Sequence, residues 1–252
     1  MLAIELFIGV MIFSFICEFI DSSLGMGYGT AATPLLILVG IPALEIIPAV
    51  LLSELISGFL SGFSHHTLGN VNFNTKSIHL RVTIVLALCS IIGAIIAVNM
   101  AVKLPSFYLN LYIGLLVLSM GLLILLTRNK KFGFSWKKII GLGLLSSFNK
   151  GMSGGGYGPV VMSGQLLSGI KGKSAVGITS VAESLTALVG VMTFIFVGTG
   201  IYIDLALPMI IGACCSVPFA AYATKRIKTE VFKTSVGLLT ILLGLITLIK
   251  LI

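Results

Sequence analysis

Long apolar runs alternate along the chain with short polar or glycine-rich interruptions. The runs fall roughly at 3–20, 28–42, 44–63, 80–101 and 107–127, then at 138–149, 157–170, 174–197, 203–223 and 231–252. A hydrocarbon core of ~30 Å takes about 20 helical residues at 1.5 Å each, so the longer runs match single crossings. The pattern predicts an all-α polytopic membrane protein. The first two runs of each group are short: a helix over 138–149 reaches only about 18 Å. Each group therefore reads as an opening hairpin of short or broken helices followed by three spanning helices.

The two groups are related in sequence. Sliding the chain on itself by 129 residues pairs Gly25-Met-Gly-Tyr-Gly29 with Gly154-Gly-Gly-Tyr-Gly158, aligns Leu38, Gly40 and Ile41 with Leu167, Gly169 and Ile170, and places Glu54 on Glu183. Further along the offset shrinks: Gly93-Ala94 meets Gly212-Ala213, and Gly114 and Gly121 meet Gly237 and Gly244. This predicts a first membrane repeat over 1–127, a basic cytoplasmic linker over 128–137 and a second membrane repeat over 138–252. With an odd number of net crossings in each half, the two repeats are expected to lie inverted in the membrane.

Composition agrees: 57% of the 252 residues are hydrophobic and 10% charged, so the bilayer is the solvent for most of the chain and no room is left for an extramembrane enzyme domain. The formal charge of +8 reports topology here rather than a nucleic-acid partner. Alternating the sides puts Lys76, Arg81, Arg128, Lys130, Lys131, Lys137, Lys138, Lys171, Lys173, Lys225, Arg226, Lys228 and Lys233 on one face, against Lys103 and Lys250 on the other. The first face is expected to be cytoplasmic, with both termini outside, in a cell inner membrane. The N-terminus lacks a basic region and a small-residue cleavage site, and reads as a retained segment. Cys17, Cys89, Cys214 and Cys215 lie in apolar runs and read as core residues, not as a disulfide or zinc set.

Candidate chemistry concentrates at the two glycine-rich interruptions. Asp21-Ser-Ser-Leu-Gly-Met-Gly-Tyr-Gly-Thr30 and Asn149-Lys-Gly-Met-Ser-Gly-Gly-Gly-Tyr-Gly-Pro159 cannot sit in lipid as ordinary helix. Each is expected to aim the N-terminus of the following helix toward the centre, where free N–H groups and positive partial charge bind an anion. The substrate-binding candidates are Ser22, Ser23, Gly25, Gly27, Tyr28, Gly29, Lys150, Ser153, Gly154, Gly155, Gly156, Tyr157 and Gly158. The glycines let backbone approach the ligand, while hydroxyls and phenols can donate to oxyanion oxygens.

Lys150, read as lying inside the second break, is either a countercharge for the anion or a structural partner of Asp21, Glu54 or Glu183. Those three acids are the proton-coupling candidates, since a carboxylate at membrane depth is discouraged from ionising; the structural reading makes them neutral caps. Ser53, Ser57 and Ser61, with Gly58 and Gly62, form a small-residue stripe that reads as helix packing. His65, His66 and His79 read as a solvated loop rather than a metal site or pH sensor. No Walker loop occurs and no cofactor is expected. The expected partners are a small anion, the bilayer and a second copy in a homodimer, with no nucleic acid.

The two halves of about 125 residues, each opening on a glycine-rich break, and the stretch Lys173-Ser-Ala-Val-Gly-Ile-Thr-Ser180 resemble the TauE/SafE sulfite exporter family of permeases. That resemblance implies transport of sulfite, sulfonates or related small organic anions, driven by an ion gradient. The family's glycine motifs fall on Gly25, Gly27 and Gly29 and on Gly154, Gly155, Gly156 and Gly158, with the proline after the first on Pro34. The chain departs from the pattern in Tyr28 and Tyr157, in Ser163 where Pro34 would repeat, and in Pro48-Ala-Val-Leu-Leu-Ser53 where the Gly-Ile-Thr-Ser stretch would repeat. Two rivals are weaker. A rhomboid-like protease, prompted by Gly151-Met-Ser-Gly154, needs a histidine near Ser153, and all three histidines belong to the other half. A passive channel of two half-helix hairpins fits the breaks but gives Lys150 and the repeated glutamates no task.

Overall fold

The computed structural model describes residues 4–127, 134–167, 169–170, 172–226 and 229–251. Its helices are α1 (Ile4–Leu24), α2 (Tyr28–Val39), α3 (Ala43–Thr67), α4 (Ile78–Ala101), α5 (Ser106–Thr127), α6 (Trp136–Ser153), α7 (Tyr157–Leu167), α8 (Gly172–Val197), α9 (Ile203–Ala223) and α10 (Thr229–Ile249). Among the described residues all regular structure is helical. Among the described residues five helices, α3, α4, α5, α8 and α9, are long and apolar enough to cross a membrane. With 12 and 11 residues, α2 and α7 reach only about 16–18 Å.

The breaks are shorter than the sequence pattern predicts. Asp21, Ser22 and Ser23 belong to α1, and Asn149, Lys150 and Ser153 to α6, which runs well past the expected end at 149. Polar residues in an apolar run do not by themselves stop a helix when their side chains face protein. What stops these two is glycine: Gly25 and Gly27 have φ of 75° and 139°, and Gly154 and Gly156 have 71° and 75°, values that side chains with a Cβ resist. Lys150 therefore lies in the last turn of a helix, not in the break.

The longer helices turn apolar residues outward as well as inward, whereas Tyr157–Gln165 of α7 is buried throughout. On α1, Ile4, Ile8, Ile12 and Ile16 are exposed at a spacing of four, while Val10, Ser14, Cys17, Glu18 and Asp21 are buried. Similarly, α4 exposes Ile84, Leu88, Ile91, Ile92, Ile95 and Ile96. Such a surface would aggregate in water and is solvated by lipid tails. The polar residues are inside, as membrane depth requires.

The main helix pairs are α1 with α9, α4 with α6, α3 with α8, α5 with α10, α3 with α9, and α4 with α8. Renumbering each helix by five maps this set of pairs onto itself. Glycines sit in these seams: a Cβ on Gly93 would meet Leu144 O at 2.9 Å, one on Gly121 would meet Ile241 N at 2.7 Å, and one on Gly244 would meet Leu118 N at 2.6 Å. The serine stripe on α3 packs on α8, with Ser61 Oγ donating to Ser180 Oγ at 3.0 Å and Ser184 Oγ donating to the Glu54 carbonyl at 3.2 Å. Small residues let these helices approach where dispersion and hydrogen bonds replace the hydrophobic effect. Cys17 and Cys89 are buried, whereas Cys214 is half-buried and Cys215 exposed.

Gly69 and Asn70 beyond α3, the first residues of α4, Gly169, Ile170 and the first residues of α8 with Lys173 meet Phe134 around a cavity of about 870 Å³. A neighbouring cavity of about 190 Å³ brings Lys173 together with Lys225, Thr224 and Ser23. Lys76, Arg81, Lys137, Lys138 and Arg226 belong to described segments; Arg128, Lys130, Lys131, Lys171, Lys228 and the Lys233 side chain lie outside the described residues, as does most of the linker 128–137.

Histidine 65 corrects the solvated-loop reading. It is fully buried, its Nε2 2.8 Å from the Ser22 carbonyl and its Nδ1 3.0 Å from Asn70 Nδ2. An amide nitrogen only donates and a carbonyl only accepts, so Nε2 carries the proton. Asn70 Nδ2 also donates to the Ala221 carbonyl at 3.1 Å. His66 is exposed and His79 half-buried near the start of α4.

Candidate functional site

Lys150 is drawn to the centre of the molecule by α6, and its side chain is fully buried. Its ammonium donates to Glu183 Oε1 at 2.7 Å and also to Glu54 Oε2. Glu54 comes from the middle of α3 and Glu183 from the middle of α8, so one cation ties three helices together. A buried ammonium is tolerable only when its protons meet acceptors, and two carboxylates supply them.

Glu18, which the sequence reading passed over, joins this centre. Ser22 on its own helix donates to Glu18 Oε1, and Ser57 from α3 donates to Oε2 at 3.1 Å. Asp21, one turn further along α1, accepts the Tyr28 N–H on Oδ1 at 3.2 Å and so caps α2 from across the break. Glu18, Asp21, Glu54, Ser57, Gly58, Ser180 and Glu183 line a common cavity of about 10 Å³. Four carboxylates thus share one cavity, and two of them hold the lysine.

Capping by Asp21 is separable from charge. Asp21→Ala is expected to lower stability by about 1 kcal/mol through the lost N–H acceptor, whereas Asp21→Asn keeps a carbonyl there and most of that stability. Thermal melts of the two variants in detergent check this.

The glycine breaks lie against each other. A Cβ on Gly155 would fall 2.6 Å from Gly29 C and 2.7 Å from Thr30 N; one on Gly158 would fall 2.7 Å from the Gly25 carbonyl. Gly156 N–H donates to Thr30 Oγ1 at 3.1 Å, and Gly155 N–H to Ser153 Oγ at 3.1 Å. In this conformation Gly29, Gly155 and Gly158 therefore fit backbone to backbone, and several N–H groups expected to meet an anion already have protein partners. Gly25 packs on Met162 and Val176, Gly27 on Ile20, and Gly154 on Thr33 and Val50.

The remaining candidates divide between core and cavity. Tyr28 is fully buried, its hydroxyl 2.8 Å from Ser53 Oγ and 3.4 Å from Ser14 Oγ. Tyr157 is buried among Val82, Leu86, Ile139, Val161 and Ile178. Ser153 Oγ donates to the Asn149 carbonyl at 2.8 Å, closing the last turn of α6. Ser23 Oγ donates to the Ile20 carbonyl at 3.1 Å and borders the cavity that holds Lys173 and Lys225.

Two signals for the missed residues were present in the sequence. Glu18 stands three residues before Asp21 and four before Ser22, on one helical face, and His65 continues the spacing of Ser53, Ser57 and Ser61.

The model of the family described as "Sulfite exporter TauE/SafE" matches residues 10–247. The chain belongs to the TauE/SafE family. It is also similar to the "Probable membrane transporter protein YtnM" of Bacillus subtilis (strain 168), at 28% identity over 259 aligned positions that cover 96% of this chain and 83% of that protein. No solved structure matches. Family and helices together make it a multi-pass membrane transporter of the TauE/SafE type, consistent with a non-enzymatic role. In this TauE/SafE chain the glycine motifs and the buried Glu54–Lys150–Glu183 triad occupy one continuous region, because Gly154 N–H donates to the Lys150 carbonyl at 2.8 Å.

Proposed function

We propose that the protein is a secondary transporter of small sulfur-containing anions, inorganic or organic, such as sulfite or sulfonates in a cell inner membrane, working by proton-coupled alternating access between two inverted repeats. The observation that carries the reading is the fully buried Lys150 held between Glu54 and Glu183. An ammonium at that depth is a site for an anion as soon as its present partners release it.

Charge decides how release happens. Glu54 and Glu183 hold Lys150 and share a cavity with Glu18 and Asp21, so with its carboxylates ionised the centre repels anions. A proton on Glu54 and another on Glu183 removes both acceptors' charge and leaves the ammonium for the incoming anion. Proton and anion binding are then linked, and neither is favourable alone. Asp21 contributes a third titratable group while capping α2. The glycine breaks would part as the repeats rock, freeing the backbone N–H groups near Gly154, Gly155 and Gly156 to meet oxyanion oxygens. The helix pairing that maps onto itself when every helix is renumbered by five supports the two-repeat reading, and the cavity lined by Lys173 and Lys225 supports an anion route from the lysine-rich face.

The test is a thermal-stabilisation scan of the purified protein with sulfite, sulfoacetate, thiosulfate and small carboxylates. An anion that binds the folded state at 100 times its Kd adds about 2.7 kcal/mol and raises the melting point. Uptake of that anion into proteoliposomes should saturate and follow an imposed pH gradient. Linear, non-saturating conductance would instead establish the passive channel.

A further inference from the structure

Two oxygens at the centre lack partners. Glu54 Oε1 and Glu183 Oε2 have no hydrogen-bond donor among the described residues, although the residues are only 3% and 5% exposed. Both residues line the cavity of about 10 Å³, together with Glu18, Asp21, Ser57, Gly58 and Ser180. That volume is the room of one water, which needs two to four polar partners. A water has two protons to give, and here two buried acceptors wait for them. Glu18 borders the same space, with Ser22 and Ser57 each donating to one of its oxygens. Those two donors are what an ionised carboxylate uses once its own proton has gone.

We propose that this cavity is a proton-binding site, in which one water sits among Glu18, Glu54 and Glu183 and carries a proton from Glu18 to the glutamates that grip Lys150. The inference rests on the proton-coupled reading above and adds the fourth carboxylate and the route. In the step the Glu18 carboxyl O–H breaks, the water takes that proton and gives one of its own to Glu54 or Glu183, and the water is regenerated. The charged and titratable groups around Glu18 are Cys17 and Asp21 on α1, Tyr28 on α2, Glu54 on α3, Glu183 on α8 and Cys214 on α9, with Lys150 on α6 held by the two glutamates. His65 on α3 reaches the same turn through the Ser22 carbonyl.

Infrared difference spectroscopy of the protein in lipid, titrated from neutral to acid pH in H₂O and D₂O, tests the site without a substrate. Glu18→Gln keeps an oxygen acceptor for the serines and removes the exchangeable carboxyl. The variant should lose part of the protonated-carboxyl signal, and the remaining carboxylates should titrate at a shifted pH. A signal and titration identical to wild type overturn the proposal. In proteoliposomes with radiolabelled sulfite as probe, Glu18→Gln should lose accumulation driven by a pH gradient and Glu18→Asp should recover it. Accumulation unchanged in Glu18→Gln, or equally lost in Glu18→Asp, overturns the relay. If wild type exchanges sulfite but ignores the pH gradient, the proton-coupled reading falls and this one with it. If sulfite does not move at all, the infrared titration decides.

Discussion

Lys150→Met is expected to remove both transport and much of the stability. The methionine fills nearly the same space but leaves Glu54 Oε2 and Glu183 Oε1 without their shared donor, in a site where neither residue is more than 5% exposed. Removing one partner of a buried ion pair typically costs about 3–5 kcal/mol, because the other charge stays behind unpaired. Here two carboxylates are left, so the loss should sit toward the upper end of that range. The same physics predicts a rescue. With Glu54→Gln and Glu183→Gln added, neither former partner of the ammonium carries a charge, and the triple variant should recover most of the melting temperature while staying inactive in uptake. Melts of the two variants in one detergent separate the outcomes. If Lys150→Met melted like wild type, the triad would have no structural weight; if the triple variant transported normally, the lysine would not be the anion's countercharge.

What the sequence disclosed and what it hid follow from the range of the interactions involved. Apolar runs and glycine clusters are local, and the described helices fall close to the runs that predict them. The ends of the breaks were misjudged because Asp21, Ser22, Asn149 and Lys150 are polar, and a polar residue in an apolar run looks like an interruption. In the fold each has a protein partner: Asp21 holds Tyr28 N–H, Ser22 donates to Glu18 on its own helix, Asn149 accepts from the Tyr112 hydroxyl at 2.8 Å, and Lys150 meets two glutamates. The helix continues until glycine alone can take a positive φ. Glu54 and Glu183 were legible as a repeated pair, but that one lysine bridges them depends on residues 96 and 33 positions apart in the chain. His65 was misread for the same reason: its partners, Ser22 and Asn70, lie on other segments.

The glycines carry the second large effect, and the direction of a single substitution should reverse with position. Gly9 lies in α1 with nothing within 4 Å of a built Cβ, so Gly9→Ala adds helix propensity at no steric cost. It should stabilise by about 0.5–1 kcal/mol. Gly29 lies in the first turn of α2, where a Cβ would be driven into the Gly154 carbonyl, 2.7 Å from Gly154 C and 3.0 Å from Gly155 Cα. All three are backbone atoms, so no side chain can rotate away. Either the two breaks separate or the protein fails to pack, and overpacking of this kind costs about 1–3 kcal/mol or more when the obstacle cannot yield. Gly29→Ala should therefore melt well below wild type and lose uptake, while Gly9→Ala keeps it. If the breaks part during transport, a variant held apart is trapped toward the opened arrangement. A saturating anion should then recover more stability in Gly29→Ala than it adds to wild type, because the ligand favours the state the added methyl already enforces. An equal shift in both proteins would mean that the contact between the breaks is scaffold alone.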